Sequence, residues 1–419
     1  MSESRHVSSE EVRIGFYQRL LALCGMLLVG TSYKLWLPQT DYPQVPIFDA
    51  LCDAPPTIDY VLAGGVVGSL LAWLLIPRRA AVLAAWSVAA CLAASCMLDQ
   101  HRFQPWTYQL IFAAIILATC EAKLALRLMR WIVISIYVYS ALSKLNVPFT
   151  TDEGQMFLDV PLGWFGAKEA VGETARQIAT LLFPLGELTV GMLLAIPKTR
   201  KIGVVLAAIM HASLMLVVGP LGLNHWPGVL LWNVCFLLQA PLLFWPTAAS
   251  RAEEKEETPV KTRLSEQRWV GMCAAAFVLL FPLLEPFGIA DAWPGWALYA
   301  SHVSRADLYI EPGAAELLPE KLQPFLVKTD WGGVRLDASQ WSLHALNVPI
   351  YPDDRFQTGV ALAFARRYGI GLFCTLAVQD PADRLRGERT ETRYQGPIQM
   401  EEATKRYWLN AQPRDRLAR

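Results

Sequence analysis

Three residues able to do acid–base chemistry stand inside otherwise apolar sequence: Lys144, Glu187 and His211. An ionisable side chain within a membrane span costs about 2.5–3.5 kcal/mol on insertion scales, so each is a functional candidate whose partner must be named. Glu187 follows Arg176 by 11 residues and His211 precedes Gly219 by 8. At ~1.5 Å per helical residue, these separations place both groups well inside the membrane, near its middle. The turn PKTRK joins their helices as antiparallel neighbours, so the spacing predicts a Glu187 to His211 hydrogen bond or ion pair. Such a pair serves equally as a polar clamp between helices or as a proton relay. In YVYSALSKLN, Tyr137, Ser140 and Lys144 fall at i, i+3 and i+7 and share one helix face, which the pattern predicts to be wet. Taken alone, a lysine at a helix end reaches for the interface. Enclosed by apolar neighbours, a lysine instead becomes a general base.

Two further polar segments belong to the same side of the bundle. One is DQHRFQPW, with Asp99, Gln100, His101 and Arg102; the other is LNHWPG, with Asn224, His225 and Trp226. Tyr108, Trp106 and Trp226 supply aromatic walls. Convergence of these segments over Lys144 predicts an outward-opening pocket in which Lys144 acts as base and His101 and His211 assist. Tyr108, Tyr137, Ser140, Glu187, His225 and Trp226 would line the bound molecule. That chemistry suits deprotonation of a quinol or another weak acid arriving from lipid. The sequence contains no Walker A loop, dinucleotide fingerprint or nucleophile elbow. Its histidines lack H-x-x-H or H-E-x-x-H spacing, so no metal site is expected. Of eight cysteines, six lie in apolar stretches as small core residues, including Cys24 and Cys235; Cys52 and Cys374 lie outside them and could pair in an oxidising compartment. There is no C-x-x-C motif.

The elements that must position these groups follow from composition. The chain of 419 residues has 37 basic and 37 acidic side chains, 54% hydrophobic content and only 18% charged residues. An ordinary soluble domain has about 25% charged residues. Zero net charge excludes a broadly basic nucleic-acid surface, and the apolar excess excludes a disordered chain. Nine apolar stretches occur, at about 16–37, 58–76, 80–98, 106–122, 127–146, 177–197, 202–219, 227–246 and 269–289. Each approaches the ~20 residues a helix needs to cross hydrocarbon, with 106–122 the shortest. Lys and Arg concentrate in alternate flanks, such as Arg13 and Arg19, Arg78 and Arg79, and Lys198, Arg200 and Lys201. By the positive-inside rule this predicts a cytoplasmic N-terminus and, after nine crossings, an external C-terminal part, in a cell (inner) membrane.

The predicted fold is therefore an all-α polytopic membrane bundle of about nine transmembrane helices with a small C-terminal α+β extracytoplasmic domain. Its parts are an N-terminal segment 1–15, an eight-span core 16–247, a charged cytoplasmic linker 248–268, a ninth helix 269–290 and the tail 291–419. Within the tail, 307–310, 370–378 and 390–394 read as strands and 354–368 and 400–409 as helices.

Three ordered segments carry a family resemblance: DQHRFQPWTYQL, then RWIVISIYVYSALSKLN with DEGQMFL, then GELTVGMLLAIPKTRKIGVVLAAIMHASLMLVVGPLGLNHWPGVLLW. Together they resemble the HTTM membrane core of the vitamin K-dependent γ-glutamyl carboxylase family, over roughly residues 10–290. The resemblance implies Lys144 as the base that deprotonates reduced vitamin K, His101 near the quinone and His211 as a pocket or relay residue. It implies a vitamin K-type quinone/hydroquinone as cofactor and an external protein or peptide as substrate. The chain departs from the family where paired lysines are Ser143 and Lys144, where Ser140 and Ala141 replace Ala-Gly, and in its much shorter tail. The same region also resembles DoxX/MauE-type membrane proteins, which implies a quinone-linked redox subunit. A third reading is a non-catalytic membrane scaffold whose external domain binds protein. In all three the bundle contacts membrane lipid, and none involves nucleic acid.

Overall fold

The computed structural model describes residues 9–246 and 267–414. The first eight residues, the linker up to residue 266 and the last five residues lie outside that description.

All nine apolar stretches form helices: α1 (Ser9–Thr31), α2 (Pro56–Leu75), α3 (Val82–Leu98), α4 (Pro105–Thr119), α5 (Ala122–Leu142), α6 (Leu182–Ala195), α7 (Arg200–Val218), α8 (Pro227–Phe244) and α9 (Arg268–Leu280). Prolines open α2, α4 and α8, where the first turn has no use for an N–H. Among the described residues, seven segments are long and apolar enough to cross a membrane. Three of these extend α6, α7 and α9, into Glu173–Ala195, Pro197–Val218 and Arg268–Phe287. The chain is thus a multi-pass membrane protein by length and composition. α3 and α4 have 17 and 15 residues, or ~26 and ~23 Å at 1.5 Å per residue, short of a ~30 Å hydrocarbon core. The expectation of about nine holds for apolar helices, and for seven of them as candidate spans.

α1 touches α2, α4, α5 and α8, and α5 touches α1, α4, α6, α8 and α9. A Cys24–Cys235 disulfide joins α1 to α8, so these two cysteines are not the plain core thiols expected. Cys52 lies 3.6 Å from the Gln412 carbonyl and Cys374 is buried in a strand, so the Cys52–Cys374 pairing is not formed. Deeper in the bundle, Gln239 Oε1 accepts from Tyr17 Oη at 3.1 Å and from Gln109 Nε2 at 3.2 Å, tying α1, α4 and α8 with hydrogen bonds.

The tail holds a five-stranded antiparallel sheet of β1 (Arg305–Ile310), β2 (Leu326–Lys328), β3 (Val334–Leu336), β4 (Cys374–Gln379) and β5 (Glu391–Gln395), in the order β2-β3-β1-β4-β5. Six residue pairs join β1 and β4, from Arg305↔Gln379 to Ile310↔Cys374. Helices α10 (Ala338–Leu346) and α11 (Asp354–Arg367) follow β3, with α11 against β1 and β4, and α12 (Gly396–Ala403) follows β5. The expected strands at 307–310 and 390–394 and the 354–368 helix are present, and 370–378 is a strand only from Cys374, after a 3-10 turn at Gly371–Phe373. β2, β3 and α10 were not expected, and 400–409 is helical only at its start.

One apolar core runs from the bundle into the tail. Buried polar contacts seal the junction. Asp59 at the start of α2 pairs with Arg102 at 2.7 Å and with Arg414 at 3.0 Å, and Gln100 Oε1 accepts from Arg355 Nε at 2.9 Å.

Candidate functional site

Helix α5 ends at Leu142, and the following turn folds Lys144 back over it. Lys144 N donates to the Ala141 carbonyl at 3.0 Å, while Nζ donates to Ser140 Oγ at 2.8 Å. The same amine donates to both oxygens of Glu187 on α6, each at 2.7 Å. Lys144 is 3% exposed, and the Glu187 side chain is 18% exposed. Gly191, one turn beyond Glu187, lets α6 approach closely: a Cβ there would stand 3.2 Å from Val138 Cγ2 and 3.3 Å from Tyr137 Cβ. Tyr137, Ser140 and Lys144 do share a face, but it is buried rather than wet. Glu187 sits level with the end of α5, not at mid-bundle.

A second chain of contacts begins on that face. Tyr137 Oη and His211 Nε2 on α7 are 2.7 Å apart, and His211 Nδ1 is 2.8 Å from Asn233 Oδ1 on α8. Asn233 Nδ2 donates to the Val229 carbonyl, which leaves its oxygen as acceptor. His211 Nδ1 is therefore the protonated nitrogen, and Tyr137 donates to Nε2. Phe236 stacks on the imidazole at 5.1 Å. The expected Glu187–His211 bond is not formed, because Lys144 engages both carboxylate oxygens and Tyr137 and Asn233 engage both ring nitrogens. Asn233 went unnoticed in the sequence, although an amide within an apolar helix is the kind of signal that found His211.

His101 lies elsewhere. It is fully buried where the α3–α4 turn meets the tail, with Nε2 donating to the Pro349 carbonyl at 2.8 Å and its ring packed on Phe356 at 4.9 Å. Burial pushes the imidazole down to about 4, so it is neutral. Asp99, Gln100 and Arg102 are buried beside it, and burial raises the Asp99 carboxyl to about 6 against the pull of Arg102. The turn is a docking element for the tail, not a wall of a solvated pocket, and the expectation that Lys144 faces two imidazoles is corrected: its amine faces a carboxylate and a hydroxyl. His225 is also held away, with Nδ1 3.1 Å from Tyr299 Oη and the two rings stacked at 5.8 Å. Burial lowers its basicity. Trp226 is half-buried over Gly228, and Trp106 packs on Trp36 at 5.7 Å.

Beyond Lys144 stands a cluster the sequence reading missed. His302 Nε2 is 2.6 Å from Glu285 Oε1, Arg384 donates to Glu285 Oε2 at 2.6 Å, and Asn146 Nδ2 lies 3.4 Å from His302 Nδ1. Val147 N donates to the Arg384 carbonyl at 2.8 Å, so this cluster ties the end of α5 to the tail. Glu285 and His302 are 17 positions apart, and Asn146 and Arg384 lie far from both in sequence, so no helical or strand spacing connects the four.

A quinone presents two acceptor oxygens and a flat apolar ring. At Lys144 the donors already have partners. Tyr108 offers a better fit: its Oη and the Trp296 Nε1 are both buried and make no hydrogen bond to another described residue, their rings meet edge-on at 5.1 Å, and Phe112 flanks Tyr108 at 4.8 Å. Two free donors against aromatic faces match what such a ring needs. No group of three or more His, Cys, Asp or Glu suited to a metal ion occurs among the described residues. Compared with protein families, characterised proteins and solved structures, the chain shows no match, so its polar layer must be interpreted on its own chemistry.

Proposed function

We propose that the protein is a proton-handling membrane enzyme acting with a lipid-soluble quinol, resembling the vitamin K-dependent carboxylases in its bundle, crossing a cell membrane nine times with its N-terminus cytoplasmic and its tail outside. The observation that carries this reading is the Lys144–Glu187 pair, enclosed at the end of α5 with all three of its hydrogen bonds at 2.7–2.8 Å. A buried ion pair adds little net stability over packed apolar side chains, so stability alone is a weak reason for it. Acid–base work is a better one. Transfer of a proton from Lys144 Nζ to a Glu187 oxygen leaves a neutral amine with a lone pair, able to take a proton from a weak acid. Tyr137, His211 and Asn233 form an adjacent hydrogen-bonded chain along which a proton can be held. Tyr108 and Trp296 would hold the oxygens of the quinol, which would supply an acidic hydroxyl and two electrons. His101 is outside this set, a neutral ring locking the tail.

The carboxylase-like version would act on an external protein or peptide; the DoxX/MauE-like version would pass electrons to an external partner instead. A non-catalytic scaffold is favoured by one observation, that the polar atoms of the Lys144 and His211 layer find their partners inside the protein.

Extraction of lipid from the purified protein separates these. A co-purifying quinone that is lost in Tyr108→Phe/Trp296→Phe supports the quinol reading, and consistent absence of any quinone refutes it in favour of the scaffold. Incorporation of labelled bicarbonate into peptide then singles out carboxylation.

A further inference from the structure

At the end of the bundle away from Lys144, a recess of about 1080 Å³ opens among the starts of α1, α5 and α7 and the end of α8. Among the described residues, six cations line it, Arg13, Arg19, Lys123, Arg127, Arg130 and Arg200, together with the Glu10 carboxylate. Arg13 donates to the Leu242 and Trp245 carbonyls, and Arg130 to the Leu243 carbonyl at 2.6 Å. These acceptors end α8 and carry the partial negative charge of a helix C-terminus. Arg19, Lys123 and Arg127 are exposed and form no ion pair or side-chain hydrogen bond with another described residue.

Further along the same helices the lining turns apolar, with Leu20 and Leu23 on α1, Ile134 on α5 and Leu238 on α8. From Arg127 to Ile134 is seven residues, about 10 Å of helix, and from Arg13 to Leu23 is ten, about 15 Å. The recess is thus cationic at its rim and greasy below over a depth of ~10–15 Å. Inorganic phosphate would use only the rim, and an acidic peptide would leave the apolar wall facing its polar backbone. A molecule with an anionic head and a hydrocarbon body uses both.

We infer that this recess is a binding site for an acidic phospholipid, its phosphate held by Arg19, Lys123 and Arg127 and its acyl chains laid along Leu20, Leu23 and Ile134. On the orientation proposed above it opens to the cytoplasmic leaflet, but the site does not depend on that orientation or on the quinol reading. Each cation near a membrane surface favours an anionic lipid by about 1 kcal/mol, so three together give a preference of roughly a hundredfold.

The test uses the full-length protein in neutral detergent, titrated with dioleoyl phosphatidylglycerol or phosphatidylcholine and read by native mass spectrometry. Tight retention of phosphatidylglycerol, roughly a hundredfold over phosphatidylcholine, weakened by salt and not displaced by inorganic phosphate, is expected. Arg19→Gln/Lys123→Gln/Arg127→Gln should abolish the preference, and Lys328→Gln in the tail should leave it intact. Single Arg127→Glu provides the same comparison should the triple variant not fold, and the salt and phosphate arms need no variant at all. Equal retention of the two lipids, competition by inorganic phosphate, or an unchanged preference in the Arg127→Glu protein overturns the inference.

Discussion

Lys144→Met keeps most of the lysine stem and deletes its charge, leaving the Glu187 carboxylate inside the bundle without its cation. Removing one member of a buried ion pair costs about 3–5 kcal/mol; because Glu187 is 18% exposed, the lower figure of ~3 kcal/mol applies. Glu187→Leu strands the ammonium at similar cost. In Lys144→Met/Glu187→Leu both charges are gone and apolar atoms fill the space, so stability returns to within ~1 kcal/mol of the parent. Interhelical hydrogen bonds in membranes average only ~0.6 kcal/mol by double-mutant cycles, which sets the scale for an ordinary clamp. The cycle can be read by pulse proteolysis of the reconstituted protein across a denaturant series. At ~1.4 kcal/mol per tenfold, each single substitution should shift the unfolding equilibrium about a hundredfold and the double substitution much less. Additive effects in the double variant, or single losses near 0.6 kcal/mol, would refute the description of Lys144 and Glu187 as a mutually dependent buried pair.

Burial and the neighbouring Asp152 raise the Glu153 carboxyl to about 7 from an ordinary 4.5. The folded chain holds that proton more tightly than the unfolded chain, so the stabilisation is present below 4.5 and is lost as pH rises through 7. Glu153→Gln should flatten melting temperature against pH across this window; an unchanged slope means another group is responsible. Arg414→Met leaves Asp59 with one cation instead of two and should loosen the tail, speeding its release by limited proteolysis while the helices stay protected; equal release rates would count against the junction described. Labelling with a maleimide in denaturant should modify six thiols before reduction and eight after, reflecting the six free cysteines and the Cys24–Cys235 bond. Eight before reduction would mean that α1 and α8 are not cross-linked.

Helix positions were legible because apolar runs of this length have one physical outcome, a hydrogen-bonded helix hidden from water. The local acid–base face was legible too, since Tyr137, Ser140 and Lys144 are set by helical spacing. Partnership across helices was not. Helical rise gave Glu187 and His211 similar depths on neighbouring helices, whereas Glu187 lies beside Lys144 at the end of α5 and His211 beside Tyr137, two turns earlier; nor does depth fix rotation, which turned Glu187 toward α5 and His211 toward Tyr137 and Asn233. His101 was misplaced for a different reason: a polar turn between apolar helices reads as wet, and only a tail folded over it could make it dry. β2 and β3 span three residues each, too short for alternation to register against the surrounding loops.

The Asp59 carboxylate and the Arg414 guanidinium are 355 positions apart in the chain. At roughly 5–20 residues per second, about 20–70 s of translation pass between the appearance of one and the other. For that interval the carboxylate at the head of the second helix has Arg102 as its cation, and Arg414 arrives only afterwards to add a second contact. The junction is closed by a segment made long after the helix it grips, so a nascent chain cut short before Arg414 would carry the Asp59–Arg102 pair without its clasp to the tail.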